Sequence, residues 1–179
     1  MSAIFPNVRS TQTVYRGQAF SVRVDEVEFR PGQTTRLDIV EHTGAVTILP
    51  LDGLGNIWFI RQYRHSAGET LLELPAGTLG PGEDPALGAD RELQEEIGMR
   101  AGKLERLGGF WLAPGYSTEF MHVFLATALT ASQLEQDEDE VITVETLPVA
   151  RALELALGGE LRDAKSLASL LLAARRFGW

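Results

Sequence analysis

The chain has 179 residues, of which 44% are hydrophobic and 23% charged, which is typical of one ordinary globular protein with a sizeable core. Its formal net charge of −9 argues against nonspecific binding to a nucleic acid backbone, because that binding depends on lysines and arginines that displace counterions. Cysteine is absent, which excludes disulfides and cysteine-ligated zinc or iron–sulfur sites. No run approaches the roughly 18 consecutive apolar residues of a membrane span, and the N-terminus lacks a signal pattern, so we expect a cytoplasmic protein with no membrane partner.

The N-terminal part of the chain has the pattern of β-structure. Phe20, Val22 and Val24 alternate with more polar residues, which is the period of a half-buried strand. A turn at residues 30–32 leads into a second β-rich run at 34–40. The sequence therefore predicts an antiparallel pair of strands.

Two further β-rich runs, 45–51 and 57–63, are separated by residues 52–55, which contain two glycines. Glycines at this position favour a hairpin, so we predict that these two strands pair with each other. A short strand is predicted at residues 70–74.

The strongest helix signal follows. Asp84 is a good N-cap, Pro85 suits the first helical position, and Gly98 can end the helix. Its apolar residues are spaced three and four apart and should face the core. These residues are Ala86, Ala89, Leu93 and Ile97.

The rest of the chain alternates strands and helices around an acidic loop at residues 135–140. The order indicates a mixed α/β protein with mostly antiparallel strands and helices packed on them. Strands are predicted at 104–111, 120–129 and 141–147, and helices at 148–157 and 163–176.

Three glutamates lie close together on the predicted helix. At about 100° per residue, Glu92 and Glu96 lie within roughly 40° of each other, so their carboxylates can share a cation. Glu95 lies further round the helix on the side of Arg91, one turn earlier, so these two residues can pair. Glu96 is nearest the apolar edge and should be the least hydrated of the three.

Clustered carboxylates repel one another unless a cation lies between them. Hard oxygen ligands held one turn apart suit magnesium, which also bridges phosphate oxygens. The alternative is a solvated helix face, which is the usual meaning of a run of charges. The pattern around the glutamates decides between the two readings.

That pattern begins at Gly77 and continues with five residues, Glu83, seven residues, and then Arg-Glu-Leu-Gln-Glu-Glu-Ile-Gly-Met at 91–99. It resembles the signature of the Nudix hydrolase family at every fixed position. The resemblance implies an α/β/α sandwich with a mixed, mostly antiparallel sheet and a small N-terminal antiparallel β extension. We expect the extension at residues 1–43 and the hydrolase domain at 44–179.

The resemblance also implies roles for the residues of the signature. Glu92 and Glu96 would be metal ligands, and Glu95 would join the metal site in some members or orient an arginine in others. The backbone carbonyl of Ala76 would be a further ligand, and the metal would be magnesium, with manganese as a substitute. The residues that would orient the site are Gly77, Glu83 and Arg91.

The resemblance extends over roughly residues 13–176 and points to the ADP-ribose pyrophosphatase branch of the family. Pro114 lies 15 residues beyond Met99, close to where a proline marks ADP-ribose enzymes. We therefore expect hydrolysis of ADP-ribose to AMP and ribose 5-phosphate. A GDP-mannose or other nucleotide-sugar hydrolase is the alternative within the class, and a non-catalytic nucleotide sensor is the alternative outside it. The segments that carry the resemblance are 44–46, 61–64, 73–77, 113–119 and 163–166.

Three residues outside the signature are candidates for substrate binding. Arg64 offers a fork of donors suited to a phosphate oxygen, and the corresponding arginine of similar enzymes contacts the diphosphate. Glu73 could hold the substrate, hold Arg64 or form a purely structural pair. Tyr116 lies near Pro114 and could contact the sugar or the base.

The acidic loop and the N-terminal strands complete the expected site. In the ADP-ribose branch a glutamate of this loop often acts as general base, which leaves Glu138 and Glu140 as candidates, with Glu138 preferred. In relatives the N-terminal strands are exchanged across a dimer and help to bind the nucleotide. We therefore expect a homodimer in which Arg30 and Arg36 reach the site of the neighbouring subunit.

Overall fold

The structure is a computed structural model that describes residues 6–135 and 141–179. These residues divide into two compact units. The first comprises the described residues through Gly44 together with Trp111–Phe120, and the second comprises Ala45–Phe110 and the described residues from Met121 onward. None of the helices in the described ranges is long and apolar enough to span a membrane. The boundary expected between residues 43 and 44 stays a prediction.

The first unit contains a three-stranded antiparallel sheet in the order β1-β2-β3. Its strands are β1 (Asn7–Arg16), β2 (Ser21–Arg30) and β3 (Gln33–Glu41). The predicted antiparallel pair, β2 with β3, is confirmed. Strand β1 was not predicted, because all ten of its residues are exposed and it therefore has no buried face to produce an apolar alternation.

The remaining strands form two sheets, in the orders β7-β4-β9-β8 and β10-β5-β6. Strands β4 and β9 pair in parallel, whereas β4 with β7, β5 with β6 and β5 with β10 pair antiparallel. The expected mixed, mostly antiparallel arrangement is confirmed. The strands are β4 (Ala45–Pro50), β5 (Asn56–Arg64), β6 (Glu69–Glu73), β7 (Ala76–Thr78), β8 (Met99–Trp111), β9 (Phe120–Ala131) and β10 (Ile142–Pro148).

The predicted hairpin between residues 45–51 and 57–63 is wrong. A tight turn does form, because the Asp52 carboxylate accepts hydrogen bonds from the backbone N–H groups of Leu54 and Asn56. However, β4 and β5 meet at an isolated bridge and then continue into different sheets. Every residue of β4 is buried, and its ladder partners β7 and β9 come from later in the chain, which turn chemistry cannot specify.

The three predicted helices are confirmed as α1 (Pro85–Ile97), α2 (Val149–Leu157) and α3 (Ala164–Phe177). Helix α1 begins where the Asp84 side chain accepts a hydrogen bond from the N–H of Ala86. It ends at Gly98, whose φ of 66° is in the left-handed region that glycine tolerates best.

Alternation along the buried strands of the second unit produces its layers. On β4, Ile48 packs in a cluster with α1, whereas Leu49 packs in a cluster with α2 and α3. On β5, Ile60 packs in the cluster with α1, whereas Phe59 packs in the cluster with α2 and α3. Each fully buried aliphatic side chain contributes roughly 1.5–3 kcal/mol through the hydrophobic effect. The expected α/β/α sandwich is therefore confirmed.

The short strand β7 is at the edge of its sheet beside β4, and it also contacts α1. In its antiparallel register with β4, Gly77 lies opposite Val46 and Ala76 lies opposite Thr47. This pairing brings the backbone of residues 76–78 beside the glutamate-bearing face of α1.

Candidate functional site

Two carboxylates of α1 lie in the interior of the second unit. Glu92 is 7% exposed and Glu96 is 2% exposed, whereas Glu95 is only partly buried. Glu96 is therefore the least hydrated of the three glutamates, as predicted. Burying a carboxylate is costly unless hydrogen bonds or positive charges compensate for its lost hydration.

Strand β7 supplies part of that compensation with its backbone. The N–H of Ala76 donates a hydrogen bond of 2.9 Å to Oε2 of Glu96. Gly77 has no side chain, and a Cβ atom at this position would overlap the carboxylate of Glu92. A residue with a side chain at this position would therefore displace the Glu92 carboxylate from the strand.

Arg91 supplies positive charge to the same cluster. Its Nη1 lies 2.7 Å from Oε1 of Glu92 and 2.7 Å from Oε2 of Glu95. Its Nε lies 3.3 Å from Oε1 of Glu83. The predicted pairing of Arg91 with Glu95 is confirmed, and the guanidinium also contacts two further carboxylates. One positive charge is shared among three negative ones, so this group has a net negative charge.

Glu83 connects the loop before α1 to the cluster. Its Oε2 accepts a hydrogen bond of 2.7 Å from the N–H of Gly80, and its other oxygen contacts Arg91. The hydrogen bond from Gly80, helped by Arg91 and opposed by partial burial, holds the pKa of Glu83 below its ordinary value. Glu83 therefore connects the loop before α1 to Arg91 of the helix.

The cluster has the donors and the charge that a divalent cation requires. Carboxylate and backbone oxygens are the ligands that magnesium prefers, and the excess negative charge favours a cation. Across residues 6–135 and 141–179, no group of three or more acidic, histidine or cysteine side chains is arranged to hold a metal ion. In this structure the guanidinium of Arg91 lies between Glu92 and Glu95 instead.

A second charged group links Arg64, the last residue of β5, to Glu73, the last residue of β6. Nε and Nη2 of Arg64 donate hydrogen bonds of 2.8 Å each to the two oxygens of Glu73, which is 1% exposed. Burial opposes ionisation of Glu73, but the hydrogen bonds from Arg64 and the charge of Lys165 outweigh it and keep the pKa of Glu73 below its ordinary value. Three roles were left open for Glu73, and the structure shows the contact that one of them needs, the pair with Arg64.

Sequence reasoning did not assign a role to Lys165 or Asp163, which complete this second group. Lys165 is 8% exposed, and its Nζ contacts Oε2 of Glu73 and lies 2.9 Å from Oδ2 of Asp163. Residues 163–166 carried part of the family resemblance. The signal that could have identified Lys165 is its position two residues after Asp163, an aspartate that can cap the last helix.

The first unit contains the other predicted substrate-binding residues. Tyr116 is 60% exposed in a turn, where its carbonyl accepts a hydrogen bond from the N–H of Val40. Arg36 lies on β3 opposite Glu26 of β2, and Arg30 lies at the end of β2. Both arginines are exposed. The candidate bases Glu138 and Glu140 lie outside the described residues.

Comparison with known proteins extends the similarity far beyond the glutamate-rich helix. The NUDIX domain family matches residues 41–170. An ADP-ribose pyrophosphatase of Bacillus subtilis (strain 168) is 35% identical over 168 residues, which cover 93% of this chain and 91% of that protein. An ADP-ribose pyrophosphatase of Mycobacterium tuberculosis (strain ATCC 25618 / H37Rv) is 39% identical over 165 residues, covering 90% of this chain and 80% of that protein. The crystal structure of an ADP compounds hydrolase superposes with a TM-score of 0.87 and 28% sequence identity, over 97% of this chain and 94% of that chain.

Replacing Gly77 with alanine should displace the Glu92 carboxylate, because the new methyl group would occupy its place. We expect manganese binding, measured by titration calorimetry, to weaken about tenfold or more. The Gly80→Ala variant is the matched control, since a Cβ atom there would meet its nearest neighbour, Oε2 of Glu83, at 3.5 Å. Equal manganese affinity in the two variants would contradict this role of the space beside Gly77.

Replacing Glu73 with glutamine should destabilise the protein at neutral pH by about 3–5 kcal/mol, because the buried Lys165 and the partly exposed Arg64 lose a shared counter-charge. The pKa of Glu73 is lowered in the folded state. The stabilisation that its negative charge provides is therefore fully present above the ordinary pKa of glutamate, and it is lost as the pH falls through the lower pKa of the folded state. Urea unfolding of both proteins at several pH values should therefore show a difference that shrinks below about pH 4. The exposed change Glu154→Gln is the control, and a difference independent of pH would count against this prediction.

Proposed function

Because the chain belongs to the NUDIX family, we propose that it hydrolyses the pyrophosphate bond of ADP-ribose and releases AMP and ribose 5-phosphate. Its similarity to two ADP-ribose pyrophosphatases over about nine-tenths of the chain supports this substrate. One structural observation carries the proposal: two buried carboxylates one turn apart, Glu92 and Glu96, lie against the backbone of β7. Such a site suits the metal-assisted cleavage of a diphosphate.

Nudix hydrolases generally use divalent metal ions. In this chain the carboxylates of Glu92, Glu95 and Glu96 and the carbonyl of Ala76 would hold magnesium, with manganese as a substitute. When bound, magnesium supplies positive charge to the diphosphate and makes water a better nucleophile. The net negative charge shared around Arg91 supports this assignment, since it favours a cation at this place.

The other candidate residues of the second unit would bind the substrate, hold the site in place or take part in proton transfer. Glu73 uses one edge of the Arg64 guanidinium, and the remaining donors of that guanidinium are suited to a phosphate oxygen of the substrate. Glu83 and Arg91 hold the loop before α1 to the helix. A glutamate of the acidic loop, Glu138 or Glu140, would accept a proton from the attacking water.

The first unit supports a homodimer in which nucleotide binding is shared. All ten residues of β1 are exposed, including Val8, Val14 and Tyr15. An exposed strand with apolar side chains at the border of a sheet is a surface to which another chain can pair. Arg30 and Arg36 would then reach the site of the neighbouring subunit, and Tyr116 would contact the sugar or the base.

Product analysis tests the proposed function. The purified protein is incubated with magnesium and, separately, with ADP-ribose, GDP-mannose, NADH, other nucleotide sugars and nucleoside triphosphates. We expect AMP and ribose 5-phosphate from ADP-ribose at the highest rate, and a competition at equal concentration should favour ADP-ribose over GDP-mannose. Preference for GDP-mannose would show that the proposed substrate is wrong and the proposed reaction is right. Tight binding of ADP-ribose without any product would show that the protein is a nucleotide sensor and not an enzyme.

Replacing Glu96 with glutamine should lower kcat at saturating magnesium by about a hundredfold or more, because the site loses a charged metal ligand. Turnover of ADP-ribose is the measurement. The Glu154→Gln change on the exposed face of α2 is the matched control and should retain wild-type turnover. Near-normal turnover by the Glu96 variant would show that the metal assignment is wrong.

Replacing Glu138 with glutamine should lower kcat by about a hundredfold, which is the usual contribution of a general base. The variant's rate should also lose the rise between acid and neutral pH that deprotonation of a general base produces. Glu140→Gln, two residues further along the chain, is the matched comparison. If Glu140→Gln loses most activity while Glu138→Gln matches the wild type, the base is Glu140.

Sedimentation velocity at micromolar concentration should give the mass of a dimer. The Val14→Glu variant places a charge on β1 and should shift the protein towards the monomer, because a charged side chain opposes pairing of strand surfaces. A Leu54→Glu change in the exposed turn before β5 is the control and should leave the dimer intact. A wild-type protein that sediments as a monomer would contradict both strand exchange and the shared roles of Arg30 and Arg36.

A further inference from the structure

Lys165 occupies a position that is unfavourable for a lysine taken alone. It is the second residue of α3 and is 8% exposed. Burial disfavours the charged form of lysine, and the positive end of the helix dipole lies at this terminus, so both effects oppose an ammonium group here. Its contacts must therefore offset both.

Two carboxylates provide that offset. Nζ of Lys165 contacts Oε2 of Glu73 and lies 2.9 Å from Oδ2 of Asp163. Asp163 is also the N-cap of α3 and accepts a hydrogen bond of 3.0 Å from the N–H of Ser166. The ammonium group is thereby held by the same aspartate that fixes the first turn of the helix.

The same helical turn also holds the chain on the other side of Glu73. The buried hydroxyl of Ser166 accepts a hydrogen bond of 2.6 Å from the N–H of Leu74. Glu73 is therefore restrained through its carboxylate by Lys165 and through the next residue's backbone by Ser166. These two contacts join parts of the chain that are 92 residues apart.

Glu73 passes this restraint on to Arg64. Its Oε2 accepts hydrogen bonds from both Lys165 and Nη2 of Arg64, and its Oε1 accepts one from Nε of Arg64. A carboxylate held at both oxygens by a guanidinium edge fixes the plane of that guanidinium. The charges alternate from Asp163 through Lys165 and Glu73 to Arg64, so the group is neutral as a whole.

Arg64 is close enough to the acidic helix to respond to it. Hydrogen bonding to Glu73 is the main cause that raises the pKa of Arg64, against the effect of burial, and the negative charge of Glu96 contributes as well. The guanidinium fixed by Glu73 thus lies in the electrostatic field of the carboxylates of α1.

We propose that Lys165 is a positioning residue: anchored by Asp163, it holds the Glu73 carboxylate so that Arg64 keeps the orientation in which its remaining donors meet a phosphate group of the substrate. The contact with phosphate rests on the proposed function, whereas the fixed orientation of Arg64 does not. Without Lys165, Oε2 of Glu73 loses a charged partner and the carboxylate can turn together with the guanidinium.

A double-mutant cycle on kcat/KM for ADP-ribose tests the kinetic part. Lys165→Met keeps the length and apolar stem of the side chain but removes its charge, and we expect kcat/KM to fall about tenfold to a hundredfold. In the Arg64→Gln background the same change should cost less than about twofold, because there is no guanidinium left to orient. Lys103→Met, the same change at an exposed lysine, is the control and should behave as the wild type. An equal loss in both backgrounds would overturn the proposal in favour of a purely structural role.

Proton NMR of the arginine Nε–H groups tests the orientation without any substrate. The Arg64 signal is identified by its disappearance in Arg64→Gln, and its exchange with water should be about tenfold faster in Lys165→Met than in the wild type. Unchanged exchange would overturn the proposal whatever the substrate is. If the wild type cleaves no nucleotide sugar, the proposed function fails and this measurement still decides the positioning role.

A second variant tests the proposal if Lys165→Met does not fold. Asp163→Asn retains a good N-cap for α3 but removes the negative charge beside Lys165. We expect faster exchange of the Arg64 Nε–H and a several-fold lower kcat/KM, again dependent on Arg64. Wild-type values in both measurements would overturn the proposal.

Discussion

The close approach of helix α1 to strand β7 is the constraint on which the candidate site depends. A Cβ atom at Gly77 would displace the Glu92 carboxylate, which occupies that space. The same approach lets the backbone N–H of Ala76 reach Glu96. Two carboxylates can therefore be buried next to a polar strand backbone instead of within an apolar core, where their lost hydration would not be offset.

The second unit contains two groups of charged side chains that differ in their balance of positive and negative charge. Around Arg91 one guanidinium is shared by Glu83, Glu92 and Glu95, which leaves an excess of negative charge suited to a cation. The group formed by Arg64, Glu73, Lys165 and Asp163 has as many positive as negative charges and is extensively hydrogen-bonded. The first group is therefore suited to binding an ion, and the second is suited to keeping a side chain in place.

The layers of the second unit explain how these groups come together. Strand β4 is buried throughout, with one face towards α1 and the other towards α2 and α3. The metal-binding candidates lie on α1, and Lys165 with Asp163 lies at the start of α3. Helices from both faces of the sheet therefore contribute to the surroundings of Glu73 and Arg64. Core packing, which brings these helices onto the strands, also sets the distances between the charged groups.

The sequence by itself determined the features that depend on neighbouring residues. Helix α1, with its cap at Asp84 and its end at Gly98, follows from local geometry, and so does the position of Glu96 as the most deeply buried of its three clustered glutamates. The tertiary structure alone decided which strands pair, since the turn at residues 52–55 forms but leads β4 and β5 into different sheets. It alone also brought Lys165 to Glu73, 92 residues away. Periodicity and turn residues specify which side chains are buried and where the chain turns, whereas partners distant in sequence are selected by packing of the whole unit.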